Sequence, residues 1–153
     1  MKIFYSDAPL VLDPNSHSIF LAGPTPRALN VKSWRPIAVQ ILENLGYQGQ
    51  VIIPEHSTSK AGFDYDTQVE WENTGTEGCS KLIVWIPRDL DVLPGYTTNV
   101  EFGRYVRSGK MLYGRPPGAP KTAYLDWLYR KFNEQPVYTE LEQLLQAATD
   151  EFK

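Results

Sequence analysis

The chain has 153 residues, 42% hydrophobic and 22% charged, with 4 Trp, 9 Tyr and 6 Phe; this is the make-up of one folded domain with a full core and excludes a largely disordered chain. Its net charge of −3 excludes the strong basic excess of a dominant nucleic-acid footprint, and no run approaches the ~18 apolar residues of a membrane helix. A single cysteine, Cys79, excludes an internal disulfide and the four-cysteine zinc patterns. The first residues, MKIFYSDAPLVLDPNSHS, carry Asp7 and no apolar stretch followed by small residues, so they do not read as a secretion signal. A soluble cytoplasmic protein, one domain over 1–153, is the expectation. In chain order, SIFLA (18–22), closed by Gly23-Pro24, reads as a strand. Trp34, Ile37, Ala38, Ile41, Leu42 and Leu45 fall at helical spacing, with Pro36 near the start and Gly46 at the stop. QVII (50–53), ended by Pro54, is a second strand, and 65–79 a helix weakened by Gly75 and Gly78. KLIVWI (81–86), bounded by Pro87, is the strongest strand. Residues 97–108 read as a helix with Val100, Phe102, Tyr105 and Val106 inward, 110–113 as a fourth strand, and 121–132 and 138–152 as terminal helices.

Continuous apolar strands are buried on both faces, and helices between them imply right-handed crossovers and a parallel sheet. In such sheets ligands bind beyond the carboxyl ends of the strands. Four segments lie there: Gly23–Arg27, Pro54–Asp66, Pro87–Asn99 and Gly114–Lys121.

In the first, Gly23 lets backbone approach a ligand, and Pro24, Thr25 and Arg27 sit where a sugar or phosphate would be held; the same residues suit an ordinary strand-ending turn. It is neither a Walker A loop nor a dinucleotide fingerprint. The second carries Asp64, Asp66, Gln68, Glu70, Trp71 and Glu72. On a helix Gln68 and Glu72 share a face, as do Asp66 and Glu70. Asp64 and Asp66 also suit a solvated helix start. Trp71 beside Glu72 fits a platform for a base or sugar, or a core position. In the third, Thr98-x-x-Glu101 fits a capping box; alternatively Glu101 sits at the mouth of the cleft as a nucleophile. His17 and His56 show no ligand spacing, no metal or cofactor is suggested, Cys79 reads as core, and no GxSxG elbow is present.

Together LAGPTPR (21–27), QVEWE (68–72), KLIVWIPR (81–88), PGYTTNVEFGRYVRSGK (94–110) and YGRPPGAPKTAYLDWLY (113–129) resemble the nucleoside 2-deoxyribosyltransferase-like family over nearly the whole chain. The resemblance implies an α/β, flavodoxin-like fold, a mostly parallel sheet of four to five strands flanked by helices. It implies cleavage of N-glycosidic bonds, with Glu101 as nucleophile and Glu72, or else Glu70, as the second acid at the base. Gly23–Arg27 would lie against the sugar and any phosphate, with Tyr96 and Asn99 bordering the sugar; Asp66, Glu70 and Trp71 are further substrate-binding candidates. Family members often have Asp as the second acid, and commonly Asp where this chain has Ser80. A homo-oligomer, dimer or larger, is implied, with a neighbour completing the pocket.

Two carboxylates suit this chemistry. The bond breaks with positive charge growing on the sugar, which one carboxylate meets at the anomeric carbon and traps. The departing base takes a proton from the second. The first expectation is transfer of 2-deoxyribose between bases. The alternatives are hydrolysis of nucleoside monophosphates, with Arg27, Arg88 and Arg115 as phosphate candidates, and a non-catalytic nucleotide sensor. The expected partner is a small nucleoside or nucleotide, not polymeric nucleic acid or a membrane.

Overall fold

The computed structural model describes residues 1–26, 28, 30–57 and 64–153. Its strands are β1 (Lys2–Tyr5), β2 (Ser18–Ala22), β3 (Gln50–Ile53), β4 (Lys81–Trp85) and β5 (Met111–Gly114). Its helices are α1 (Arg35–Asn44), α2 (Tyr65–Gly78), α3 (Tyr96–Tyr105), α4 (Ala123–Phe132) and α5 (Leu141–Asp150). The strands form one sheet in the order β1-β3-β2-β4-β5, every pair parallel. This is an α/β, flavodoxin-like fold. The chain leaves β2 toward β3 on one side, then crosses back through α2 to place β4 on the other. The switch in direction opens a crevice at the carboxyl ends of β2 and β4, where open sheets of this type bind ligands.

Alternation along the buried strands divides the core in two. Ile19, Leu21, Val51, Ile53, Ile83 and Trp85 point to one face and pack with Ala38 and Leu42 of α1 and Leu144, Leu145 and Ala148 of α5. Phe20, Ala22, Ile52, Leu82, Val84 and Tyr113 point to the other, against Phe102, Tyr105 and Val106 at α3 and Leu125 and Tyr129 of α4. Gly75, the residue that weakens α2 as a helix, has its reason here. A Cβ at this position would lie 2.8 Å from Phe20 Cε2, so its absence lets α2 sit directly on β2.

Three readings are corrected. The N-terminal residues form β1, an edge strand not anticipated from sequence; only Phe4 of its four residues is buried. Ile37 and Val100, both at helical apolar spacing, are solvent-exposed at 61% and 73%, because the buried stripes of their helices run through Ala38 and Leu42 and through Phe102 and Tyr105. And α3 starts at Tyr96, after Gly95 in the left-handed conformation (φ 64°), with no side-chain cap. Thr98 is already inside the helix and buried, so the capping box does not form.

Two glycines bring the strand ends together. Gly23 (φ 151°) closes β2 so tightly that a Cβ would lie 2.1 Å from the Trp85 carbonyl oxygen of β4. Gly95 packs on the same loop: its Cβ would meet Pro24 Cγ at 2.7 Å. A side chain at Gly23 forces backbone apart and one at Gly95 is driven into the Pro24 ring, in both cases also straining φ. Gly109 (φ 75°) has the strain without the collision, as nothing lies within 4 Å. Gly109→Ala is expected to cost about 1 kcal/mol, and Gly23→Ala and Gly95→Ala about 2–4 kcal/mol each, read from urea unfolding midpoints of the three variants.

Candidate active site

Glu101 stands in the second turn of α3, five residues past its first, half-buried at the crevice. The helix is capped by Gly95 backbone, so the Glu101 carboxylate is not spent on capping. Burial pushes its pKa up to about 7; the Glu72 carboxylate pushes the same way and Arg35 opposes both. Low-dielectric surroundings disfavour the charged form, and a like charge adds to that.

Glu72 comes from the third turn of α2. Gln68, one turn earlier, donates Nε2–H to Glu72 Oε1 at 2.9 Å. His56 Nε2, just past β3, lies 3.3 Å from Gln68 Oε1. The shared face of Gln68 and Glu72 expected from spacing is therefore real, and His56, read as incidental, belongs to it. Of the two acids left open as the second one, Glu72 is the one that acts electrostatically on Glu101.

Arg35, at the first position of α1, was not singled out in the sequence. It is 1% exposed, and its guanidinium is surrounded by oxygen. Nε donates to the Leu21 carbonyl at 2.9 Å, Nη2 to the Gly23 carbonyl at 2.8 Å, and Nη1 to Thr25 Oγ1 at 3.1 Å and Glu55 Oε1 at 2.5 Å. Ser33 Oγ donates to the same Glu55 oxygen at 2.8 Å. The Gly23–Thr25 loop is thus held from beneath by a buried cation. Burial pulls the Arg35 pKa down, while Glu55 foremost, then Glu101 and Glu72, pull it back up. Its only sequence signal is the company it keeps in SWRP (33–36), where an arginine at a helix start, the wrong end for the dipole, calls for a reason.

The remaining candidates are distributed as follows. Gly23 and Pro24 are buried at the end of β2, and Thr25 is exposed beside them; Arg27 lies outside the described residues. Asn99, in the first turn of α3, accepts from Arg88 Nη2 at 2.5 Å, and Arg88 also donates to the Lys121 carbonyl at 2.9 Å. Tyr96 is 68% exposed at the start of α3. Arg115 makes a two-pronged ion pair with buried Asp126, 2.7 Å from Nη2 to Oδ2. Arg115 is therefore committed to a carboxylate, whereas Arg88 meets only the Asn99 amide and a backbone carbonyl and its buried Nε has no acceptor among the described residues. Asp64 caps α2, accepting from Thr67 N at 2.9 Å. Asp66, Glu70 and Trp71 line an open groove of about 480 Å³ with Leu10, Asp64, Thr67 and Thr74; neither Glu72 nor Glu101 lines it. Trp71 is half-buried there, its indole N–H donated to the Ala8 carbonyl at 2.9 Å. Cys79 is core, 5% exposed. Among the described residues no three His, Cys, Asp or Glu side chains group to hold a metal ion, and no helix is long and apolar enough to cross a membrane.

The raised pKa of Glu101 has a consequence for stability. A carboxyl whose pKa is higher folded than unfolded binds its proton more tightly in the native state. Its contribution is full below the ordinary value of 4.5 and is lost as pH rises through about 7. Glu101→Gln is therefore expected to stabilise the protein by ~1–3 kcal/mol at pH 8 and to change little at pH 4.5, as measured by thermal unfolding at both values.

A comparison with curated proteins returns no match. The family model described as nucleoside 2-deoxyribosyltransferase like matches residues 16–119, from the start of β2 to the loop after β5. That stretch contains Gly23, Arg35, Glu72 and Glu101 and covers well over half of the chain, which belongs to the nucleoside 2-deoxyribosyltransferase-like family.

Proposed function

We propose that the protein cleaves the N-glycosidic bond of a (deoxy)nucleoside and transfers the 2-deoxyribosyl group to another base, with Glu101 as nucleophile and Glu72 as the acid at the base. The observation that carries this reading is the pair itself: two carboxylates, from α2 and α3, interacting at the switch point of the sheet, with the pKa of Glu101 pushed up to about 7 by burial and by the Glu72 charge. Family membership suggests a nucleoside deoxyribosyltransferase-like enzyme with small-molecule nucleoside substrates.

The reaction uses the pair with Glu101 ionised and the proton on Glu72. The C1′–N bond breaks and its electrons go to the base, which takes the proton from Glu72. The ionised Glu101 meets the positive charge growing at C1′ and forms the C1′–O bond. Departure of the base carries the proton away, and the second base then attacks C1′, returning the electron pair to Glu101 and a proton to Glu72. The closed Gly23–Thr25 loop, resting on Arg35, offers a rigid floor for the sugar, with Thr25 and Tyr96 exposed at its rim. Arg115 is paired with Asp126 and is no ready phosphate holder, whereas Arg88, bound to Asn99 and with its buried Nε meeting no acceptor among the described residues, supports a 5′-monophosphate as the second reading of the substrate.

The test is incubation with each deoxynucleoside and each monophosphate, with and without a second free base, followed by chromatography. Exchange that requires the added base is expected. Free sugar with no exchange would make the protein a hydrolase, and ligand-dependent thermal stabilisation without products would make it a binding protein; either result overturns transfer. Glu101→Gln is expected to lower kcat at least 10³-fold with the fold kept; activity within tenfold of the unaltered protein would remove Glu101 from the role. Because Glu101 must be ionised to attack, kcat/KM should fall about tenfold per pH unit below about 7, as read from a pH profile.

A further inference from the structure

Glu101 and Glu72 do not face one another alone. Among the described residues, Arg35 of α1 is a cation that both act on, and Glu55, past β3, is an acid bound directly to it. His56 stands behind Gln68, which donates to Glu72. One guanidinium is thus set among three carboxylates, with only Glu55 in direct hydrogen-bond contact. Its other donors go to Leu21, Gly23 and Thr25, the end of β2 and the loop that closes it. Water is excluded from the cation: Arg35 is 1% exposed.

We propose that Arg35 is a positioning residue for the reaction, holding the Gly23–Thr25 floor through its donor fork and serving as the shared counter-charge of the Glu72–Glu101 pair, with Glu55 setting how much of that charge the pair feels. This rests on the proposed roles of Glu72 and Glu101 and goes beyond them. It assigns two duties to one group, and they separate by substitution. Lysine keeps the charge but lacks the planar fork that reads several oxygens at once. Methionine keeps the bulk and loses the charge. Glutamine at position 55 keeps the shape of Glu55 and removes its negative charge, leaving Arg35 to act more strongly on the other two acids. A purely structural role for Arg35 gives no reason for the last two substitutions to act in opposite directions on a third residue.

The experiment follows the Glu101 carboxyl by ¹³C NMR titration in protein labelled at glutamate, the signal assigned by its loss in Glu101→Gln. The expected result for Glu55→Gln is a midpoint lowered by about half to one pH unit, and for Arg35→Met a midpoint raised by about one unit. In Arg35→Lys the midpoint stays within about 0.3 unit, while kcat/KM for base exchange falls by at least about tenfold through the loosened floor. Each variant is checked for cooperative thermal unfolding; if Arg35→Met does not fold, Glu55→Gln decides the charge arm. An unmoved Glu101 midpoint in folded Glu55→Gln overturns the counter-charge role. Exchange by Arg35→Lys at the unaltered rate overturns the floor role. The titration needs no turnover, so a wild-type protein inert toward every nucleoside would sink the proposed function while the NMR arm still judges the coupling.

Discussion

A charged guanidinium closed off from water is the interaction on which the crevice depends. Removing a cation from water costs several kcal/mol, repaid only if its donors are met and an opposite charge is near. Arg35 meets both conditions: oxygens of Leu21, Gly23 and Thr25 take its hydrogen bonds, and Glu55 supplies the charge. The arrangement ties three separate stretches together: the end of β2, the first turn of α1 and the residue pair beyond β3. Gly23 packs against β4 and Gly95 against Pro24, both at this same loop. Breaking one partner of such a pair leaves the other as an isolated charge, which is why a substitution at Glu55 or Arg35 is felt beyond its own contacts.

The same exclusion of water works against the acids. Glu101 is held where ionisation is unfavourable, and the nearby Glu72 makes it more so. In a folded protein this is a standing cost at alkaline pH, and stability alone would be better served by an uncharged residue there. Sites that bring two carboxyls into one poorly solvated place exchange stability for reactivity. The geometry also shows why the two acids come from different helices: α2 and α3 both begin at the carboxyl edge of the sheet and pack on one face, so side chains in their early turns converge over the strand ends.

Much of this was legible in the residues. The strands β2, β3, β4 and β5 announce themselves as continuous apolar runs because they are buried on both faces, and their parallel arrangement follows from the helices between them. Gln68 and Glu72 were placed on one face by helical spacing alone. What escaped has identifiable causes. β1 is four residues long with one buried side chain, too short and too exposed for periodicity to register. Thr98-x-x-Glu101 carries the pattern of a capping box, but a left-handed Gly95 starts the helix earlier and takes both residues inside. Arg35 was invisible because its partners lie about ten to twenty positions away in sequence and are mostly backbone carbonyls, which carry no residue-type signal. Arg115 looked like an available cation until the structure showed it paired with buried Asp126.

Gly75, in the last turn of α2, bears on how this protein can be engineered. Exchanging helix glycines for alanine is a routine route to greater heat tolerance, gaining about 0.5–1 kcal/mol where space allows. Here the recipe divides within a single turn. At Gly78 a new methyl group would touch only Leu12 Cδ1, at an ordinary 3.4 Å, whereas at Gly75 it would be driven into the Phe20 ring. A consensus-minded designer treating the two alike would lift one end of the helix off the strand whose far end forms the crevice floor.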